Sequence, residues 1–109
     1  MEPITKQQRL DLFNNTIDKC GTYLLIEDDE TIEYNIYEDF DIGVHSFLHN
    51  DNIQWLYENG QISLSQFNKS ILLRDMVINL QKTDEWEFKH FRTSKKWRAI
   101  IELSDDIKK

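Results

Sequence analysis

Three histidines and twenty carboxylates are the side chains in this sequence best suited to chemistry. His45 and His49 are four residues apart, so on a helix both rings would point the same way, as paired zinc ligands do. Ser46 follows the first histidine, whereas a metalloprotease helix has glutamate there. The nearby carboxylates that could add a third ligand are Asp39, Asp41 and Asp51. A small metal-dependent enzyme using the histidine pair is therefore an alternative hypothesis and not the leading one.

Other catalytic or cofactor-binding arrangements find little support in the residue spacing. Asp39-x-Asp41-x-Gly43 lacks the further oxygen ligand and the distant glutamate of an EF-hand loop. Cys20 falls on the apolar stripe of a predicted helix, where a thiol packs as a small hydrophobic group. The three glycines are isolated, so the chain has no glycine-rich phosphate-binding loop. We therefore predict no enzymatic activity and no cofactor.

The charges are distributed unevenly along the chain. Residues 20–68 contain ten carboxylates and no lysine or arginine, a formal charge of -10. The flanking segments hold all 13 basic residues and the other ten acidic ones, so they carry +3 and the net charge is -7. A basic cluster follows near the carboxyl end and consists of Lys89, Arg92, Lys95, Lys96 and Arg98. We expect an electrically polarised molecule.

Aromatic side chains lie among the carboxylates of the acidic segment. Aromatic residues anchor protein interfaces, while surrounding charges steer a complementary partner and speed its encounter. This mixture predicts the docking of a basic protein. The alternative is that the aromatics belong to the core and the acidic residues only keep the chain in solution. The predicted partner-binding residues are Glu27, Asp28, Asp29, Glu30, Glu33, Tyr34, Tyr37, Glu38, Asp39, Phe40, Asp41 and Trp55.

Two other classes of partner are disfavoured by composition. A net charge of -7 opposes the approach of a nucleic acid, and the basic cluster is short. The longest apolar runs are three or four residues, against the roughly 20 that a membrane-spanning helix needs. The first residues lack the features of a secretory signal, and the single cysteine suits a reducing compartment. We expect a cytoplasmic protein.

The elements that position these residues can be predicted from hydrophobic periodicity. Thr5 and Gln8 form a capping box, and apolar residues then recur at three- and four-residue steps as far as Cys20. This pattern predicts a first helix from Lys6 to Cys20, with Gly21 as its left-handed C-cap.

A β-hairpin is predicted next. Residues 22–27 are rich in β-forming side chains, and residues 31–37 alternate between apolar and polar. The polar residues Asp28, Asp29 and Glu30 lie between the two segments and are predicted to form the turn. The hairpin would therefore present one acidic face.

Helices are predicted for most of the remaining chain. Val44, Phe47 and Leu48 suggest a short helix, and a second, around residues 53–57, stops at Asn59-Gly60. Ser63 with Gln66 is a second capping box that opens a helix over residues 64–81.

The carboxyl-terminal part of the sequence fits more than one structure. The aromatic residues Trp86, Phe88 and Phe91 suggest a short strand or an extended connection. Thr93-Ser94 can cap a last helix whose apolar residues are Trp97, Ile100, Ile101 and Ile107. A strand-like alternation through Trp97, Ala99, Ile101 and Leu103 competes with that pattern, and we prefer the helix.

The 109 residues are enough for one core, so we predict a single domain over residues 1–109. Its fold class is α+β: mostly helical, with an amino-terminal helix, a β-hairpin and carboxyl-terminal helices.

Carboxylates and aromatic rings are interleaved in the middle of this small acidic chain. The interleaved residues are Glu33, Tyr34, Tyr37, Glu38, Asp39 and Asp41. This size and character are shared with one group of small binding proteins. The chain resembles the immunity proteins of bacterial toxin systems, which neutralise a cognate toxin, often a basic nuclease. The resemblance implies stoichiometric inhibition, with the acidic segment pairing with toxin lysines and arginines. A regulatory adaptor or a nucleic-acid mimic is the alternative, and either would bind several partners instead of one.

Overall fold

Helices account for all the regular structure in the part of the chain that the structure, a computed structural model, describes: residues 5–108. Within that range there are five α-helices and no strand. The helices are α1 (Lys6–Asp18), α2 (built from the consecutive segments Asp29–Glu33, Tyr34–Phe40 and Asp41–Ser46), α3 (Asn50–Glu58), α4 (Leu64–Gln81) and α5 (Lys95–Ile107). The predicted α+β class is therefore wrong, and the domain is all-α.

The predicted β-hairpin is replaced by helix. Its first strand is a 3₁₀-helix, Thr22–Ile26, and its turn and second strand belong to α2. Ile32 and Ile36 fit a strand alternation, but they also begin a series spaced by four that continues through Phe40 and Val44, all fully buried. A spacing of four satisfies both periods, but a strand would place Tyr34 on the same face as the two isoleucines, whereas this ring is 59% exposed, as a helix requires.

The acidic residues predicted to form the hairpin turn instead start α2. Asp28 is the N-cap, and its carboxylate accepts a hydrogen bond from the Thr31 amide at 2.8 Å. Hydrogen bonding from the Thr31 side chain, together with this bond from its amide, lowers the pKa of Asp28 because both favour the ionised form. Asp29 and Glu30 occupy the first turn, where negative charge interacts favourably with the helix dipole.

The middle of α2, Tyr34–Phe40, is π-helical. The amide of Asp41 donates to the carbonyl of Ile36, five residues earlier, whereas an α-helix uses a spacing of four. Backbone angles remain helical on both sides of this segment, so α2 runs without a break. π-Helical turns within α-helices are rare in proteins and occur frequently at functional sites.

The capping predictions are confirmed at three helices. Thr5 with Gln8 and Ser63 with Gln66 form reciprocal capping boxes, and α4 spans the predicted residues. Ser94 caps α5, so the helical alternative for the last segment is correct. Gly60, with φ +70°, follows α3 in the left-handed conformation that glycine favours.

Several predicted boundaries differ from the structure. Helix α1 ends at Asp18 with Lys19 as its C-cap, and Gly21 is extended, so the predicted left-handed cap is absent. The short helix predicted around Val44 is the end of α2, which stops before Phe47 and Leu48. The connection predicted as a strand or extended chain contains two 3₁₀ turns, Asp84–Trp86 and Phe88–His90.

All five helices contribute to one hydrophobic core. Its fully buried side chains include Phe13, Phe40, Leu56, Leu73 and Trp97. Gly43 brings α2 against α1, because a β-carbon at this position would lie only 2.3 Å from the Thr16 hydroxyl oxygen. No helix formed by residues 5–108 has the length and apolarity required to cross a membrane.

Candidate partner-binding groove

An open groove of about 570 Å³ runs between α2 and the connection that precedes α5. We call it the acidic-aromatic groove, because four glutamates and four aromatic residues line it. Its lining residues are Glu30, Glu33, Tyr34, Tyr37 and Glu38 from α2, and Trp86, Glu87 and Phe88 from the connection. No basic residue is among them.

The π-helical segment aligns the α2 wall. Glu30, Tyr34 and Glu38 are four residues apart, which is slightly more than one α-turn of 3.6 residues and less than one turn of the wider π-helix. A step of four residues therefore rotates a side chain slightly past a full turn in an α-helix and slightly short of one in a π-helix. Because the row passes from α-helix into π-helix at Tyr34, these two deviations partly cancel. The three side chains consequently stay in line along one face of α2.

The opposite wall is held in place by hydrogen bonds from aromatic side chains. The Tyr37 hydroxyl donates to the carbonyl oxygen of Trp86 at 2.5 Å, and the Trp97 indole N–H donates to the carbonyl oxygen of Glu85 at 2.7 Å. The Ser94 hydroxyl donates to the carboxylate of Glu85 at 2.6 Å. These bonds join the connection to α2 on one side and to α5 on the other.

An aromatic cluster forms the floor beneath these hydrogen bonds. Trp86 stacks on the buried Trp97 with ring centroids 4.8 Å apart, and Tyr37 meets Trp86 edge-on at 5.3 Å. Phe88 and Phe91 contact the same cluster through Tyr37 and Trp97, respectively. Burial, reinforced by the negative charges of Glu33 and Glu87, raises the pKa of Tyr37. Its hydroxyl therefore remains protonated and continues to donate to Trp86.

The carboxylates of the groove are mostly unpaired. Glu30, Glu33 and Glu38 are exposed and make no side-chain hydrogen bond or ion pair with the residues that the structure describes. Glu87 lies 3.4 Å from Lys89, and both side chains are largely exposed, so this pair is weak. Tyr34 projects between the glutamates with 59% of its surface exposed. The groove thus presents negative charge and accessible aromatic surface together.

The other acidic residues of α2 have partners within the fold. Asp39 pairs with Lys19 of α1 at 3.2 Å. Asp41 accepts a hydrogen bond from the Gln81 side chain at 2.5 Å and lies 3.5 Å from His45. Both were predicted to bind a partner, and the structure places them outside the groove lining.

The remaining predicted partner-binding residues are spread over several environments. Phe40 is fully buried and belongs to the core. Glu27 and Asp28 are exposed near the start of α2 without lining the groove, and Asp29 there pairs with Arg92 at 2.8 Å. Trp55 lies on α3, where the Arg9 guanidinium sits 4.7 Å from its ring centroid. Five of the twelve predicted residues therefore meet in the groove.

The histidine pair does not form the predicted constellation. His45 is in the last turn of α2, whereas His49 lies between helices and caps α3 by accepting a hydrogen bond from the Asp51 amide. The two rings are therefore not on one helical face, and no cluster of three potential ligands occurs among residues 5–108. Cys20 is buried, and burial raises the pKa of its thiol to about 12, so it is unsuited to nucleophilic catalysis.

Three groove residues were not among the predicted ones: Trp86, Glu87 and Phe88. They repeat the acidic and aromatic mixture of α2 in three consecutive positions, about fifty residues further along the chain. That similarity of composition was the available signal, and it does not reveal that the contacts of Tyr37 with Trp86 and Phe88 bring the two segments together.

The comparisons with known proteins identify no relative. The chain matches no protein-family model, no curated protein and no solved structure.

Proposed function

We propose that this chain is a protein-binding inhibitor of the immunity type, which captures a basic protein in the acidic-aromatic groove. The cognate partner would be a basic toxin, for example a nuclease, neutralised by stoichiometric occlusion. The observation that supports this proposal most directly is the combination in one groove of unpaired glutamates with accessible aromatic rings.

Charge and shape have separate roles in the proposed mechanism. The three unpaired glutamates attract a cationic surface over a distance of about one Debye length, roughly 8 Å at physiological salt, and accelerate encounter. The aromatic rings then supply contact area that excludes water around the new ion pairs. A basic segment bound there is no longer available to its own substrate, which is the basis of the inhibition.

The structure also offers a rigid support for this surface. Tyr37 and Trp86 are fixed by their mutual hydrogen bond and by ring contacts to buried Trp97. A preorganised surface loses less conformational entropy on binding than a flexible one. We place the proposed inhibitor in the cytoplasm, where its single buried cysteine would remain a thiol.

The test compares two double variants that remove the same charge. Glu33→Gln with Glu38→Gln changes the groove, whereas Asp51→Asn with Glu58→Gln changes exposed acidic residues of α3. Affinity-tagged wild-type protein should retain one basic protein from its source cells at low salt, in a 1:1 complex visible by native mass spectrometry. The groove variant should lose that protein, and the α3 variant should retain it.

Inhibition is measured on the purified partner. Wild-type protein should abolish the partner's activity at one molar equivalent, and the groove variant should require a large excess. A partner that is retained equally by both double variants would contradict the proposal. Recovery of several unrelated proteins that DNA displaces would favour the adaptor or nucleic-acid mimic instead.

A further inference from the structure

An arginine of the chain itself lies at the edge of the acidic-aromatic groove. The Arg92 guanidinium pairs with the Asp29 carboxylate at 2.8 Å and donates to the carbonyl oxygen of Glu27 at 3.1 Å. Its central carbon is 5.7 Å from the centroid of the Phe88 ring, which lines the groove. Oxygen acceptors and an aromatic ring thus act together on one guanidinium.

A second arginine is held in the same manner elsewhere on the molecule. The central carbon of the Arg9 guanidinium lies 4.7 Å from the centroid of the Trp55 ring, and one of its N–H groups donates to the Asn52 side chain at 3.1 Å. Stacking on an aromatic face and hydrogen bonding in the guanidinium plane are compatible, because they use different directions of the group.

The groove repeats this combination with acceptors that have no cation among the described residues. Glu30, Glu33 and Glu38 are unpaired, and the exposed ring of Tyr34 lies in the row between Glu30 and Glu38. A guanidinium has five N–H donors in one plane and can bridge two carboxylates while its face contacts a ring. An ammonium group is a compact, strongly hydrated point charge and gains less from the rings.

We propose that the acidic-aromatic groove binds an arginine side chain, presented by an extended segment of the basic partner, in preference to lysine. This inference rests on the proposed function, since it specifies which cation of the partner enters the groove. The volume of about 570 Å³ accommodates residues on either side of the arginine as well as its side chain. Charge complementarity with four glutamates selects a cationic segment over an apolar one.

The test uses two synthetic peptides of equal length and charge, acetyl-Gly-Arg-Gly-Arg-Gly-amide and its lysine counterpart. Binding of each to the full chain is measured by isothermal titration calorimetry at low and physiological salt. We expect the arginine peptide to bind at least about fivefold more tightly than the lysine peptide, because only the guanidinium combines stacking with bidentate hydrogen bonding. The difference should persist at physiological salt, where simple charge attraction is screened.

The same double variants locate the site. Glu33→Gln with Glu38→Gln should weaken the binding of the arginine peptide at least about tenfold, because two charge-assisted hydrogen bonds are lost. Asp51→Asn with Glu58→Gln should leave its affinity within about twofold, since rim and remote charges act weakly. Circular dichroism confirms that both variants remain folded.

The possible outcomes separate this inference from the proposed function. If the two peptides bind with equal affinity and the groove variant loses the binding of both, the arginine preference is overturned. The groove would still be a cation-binding site. Unchanged arginine binding in the groove variant would overturn both, because the cation would then bind elsewhere on the molecule.

Discussion

The acidic residues of α2 differ in what their carboxylates contact. On one flank of the helix Asp39 pairs with Lys19 at the end of α1, and on another Asp41 accepts a hydrogen bond from Gln81 of α4, so these two charges serve the packing of helices. On the groove face, Glu30, Glu33 and Glu38 contact no such partner among the described residues. The fold therefore divides the carboxylates of this one helix into those that interact with other helices and those that remain available to a binding partner.

This division indicates where function should be sought in an acidic protein. A charged residue that is already paired must lose its partner before it can bind another, which costs free energy. An unpaired carboxylate beside exposed aromatic surface has no such cost. The count of acidic residues in the segment is thus less informative than the number left unpaired at one place.

The strongest test of the comparison replaces one aromatic residue from the buried side of α2 and one from its groove side. Phe40→Ala should lower the free energy of unfolding by about 3–5 kcal/mol, because it empties a fully buried site. Tyr34→Ala should change it by less than about 0.5 kcal/mol, because that ring is mainly exposed. Urea unfolding followed by circular dichroism gives both values. Similar losses in the two variants would show that Tyr34 also supports the fold.

A second test examines the contact of α2 with α1. Gly43→Ala should destabilise the protein by about 1–2 kcal/mol, because the overpacking against Thr16 exceeds the gain in helix propensity. Adding Thr16→Ala removes the two nearest obstructing atoms, Oγ1 and Cγ2, and leaves the Cβ of residue 16 at 2.9 Å. The double variant should therefore be more stable than Gly43→Ala alone in the same urea experiment, and simple additivity of the two effects would contradict the close approach.

A third test separates the fold from the groove at Tyr37. Tyr37→Phe removes the hydroxyl that donates to the Trp86 carbonyl and should cost about 1 kcal/mol in the free energy of unfolding. Thermal unfolding measures the loss, and tryptophan fluorescence, recorded with Trp55→Phe in both proteins, monitors the stacked pair of Trp86 and Trp97. A variant as stable as wild type, with an unchanged emission spectrum, would mean that the two walls do not depend on this bond.

The smallest expected difference is in the free energy of unfolding of variants at two neighbouring acidic residues. Asp39→Asn should cost about 0.5 kcal/mol at low salt, because it breaks a partly exposed ion pair with Lys19. Glu38→Gln should be neutral or slightly stabilising, since its carboxylate has no partner among residues 5–108 and has acidic neighbours. The difference should shrink at high salt, where exposed charges are screened. The reverse order of stability would contradict the division of the α2 carboxylates into paired and unpaired ones.

Helices with strong end signals could be predicted from the sequence. Ser63 with Gln66 and Ser94 form local hydrogen bonds at the starts of α4 and α5, so nearby residues are sufficient to specify them. Helix α2 was missed because Ile32 and Ile36 fit two periods, and because Asp28 was assigned to a turn when it is an N-cap.

The groove could be predicted only in part. Its α2 wall lies within the acidic segment, and charge and aromatic content were enough to predict five of the lining residues, Glu30, Glu33, Tyr34, Tyr37 and Glu38, together with seven that lie outside the groove. The second wall depends on contacts of Tyr37 with residues about fifty positions away. Such contacts arise from tertiary packing, and no local rule connects the two segments in advance.

The π-helical segment of α2 also bears on how a change in chain length would be tolerated. A π-helical turn holds more residues than an α-helical turn, so the segment accommodates one additional residue while the flanking α-helical parts keep their orientations. Deleting one residue from Tyr34–Phe40 should therefore restore the α-helical hydrogen-bond spacing and leave Gly43 facing Thr16. A single-residue gap at this position, in an alignment with related chains, would consequently be compatible with the same fold.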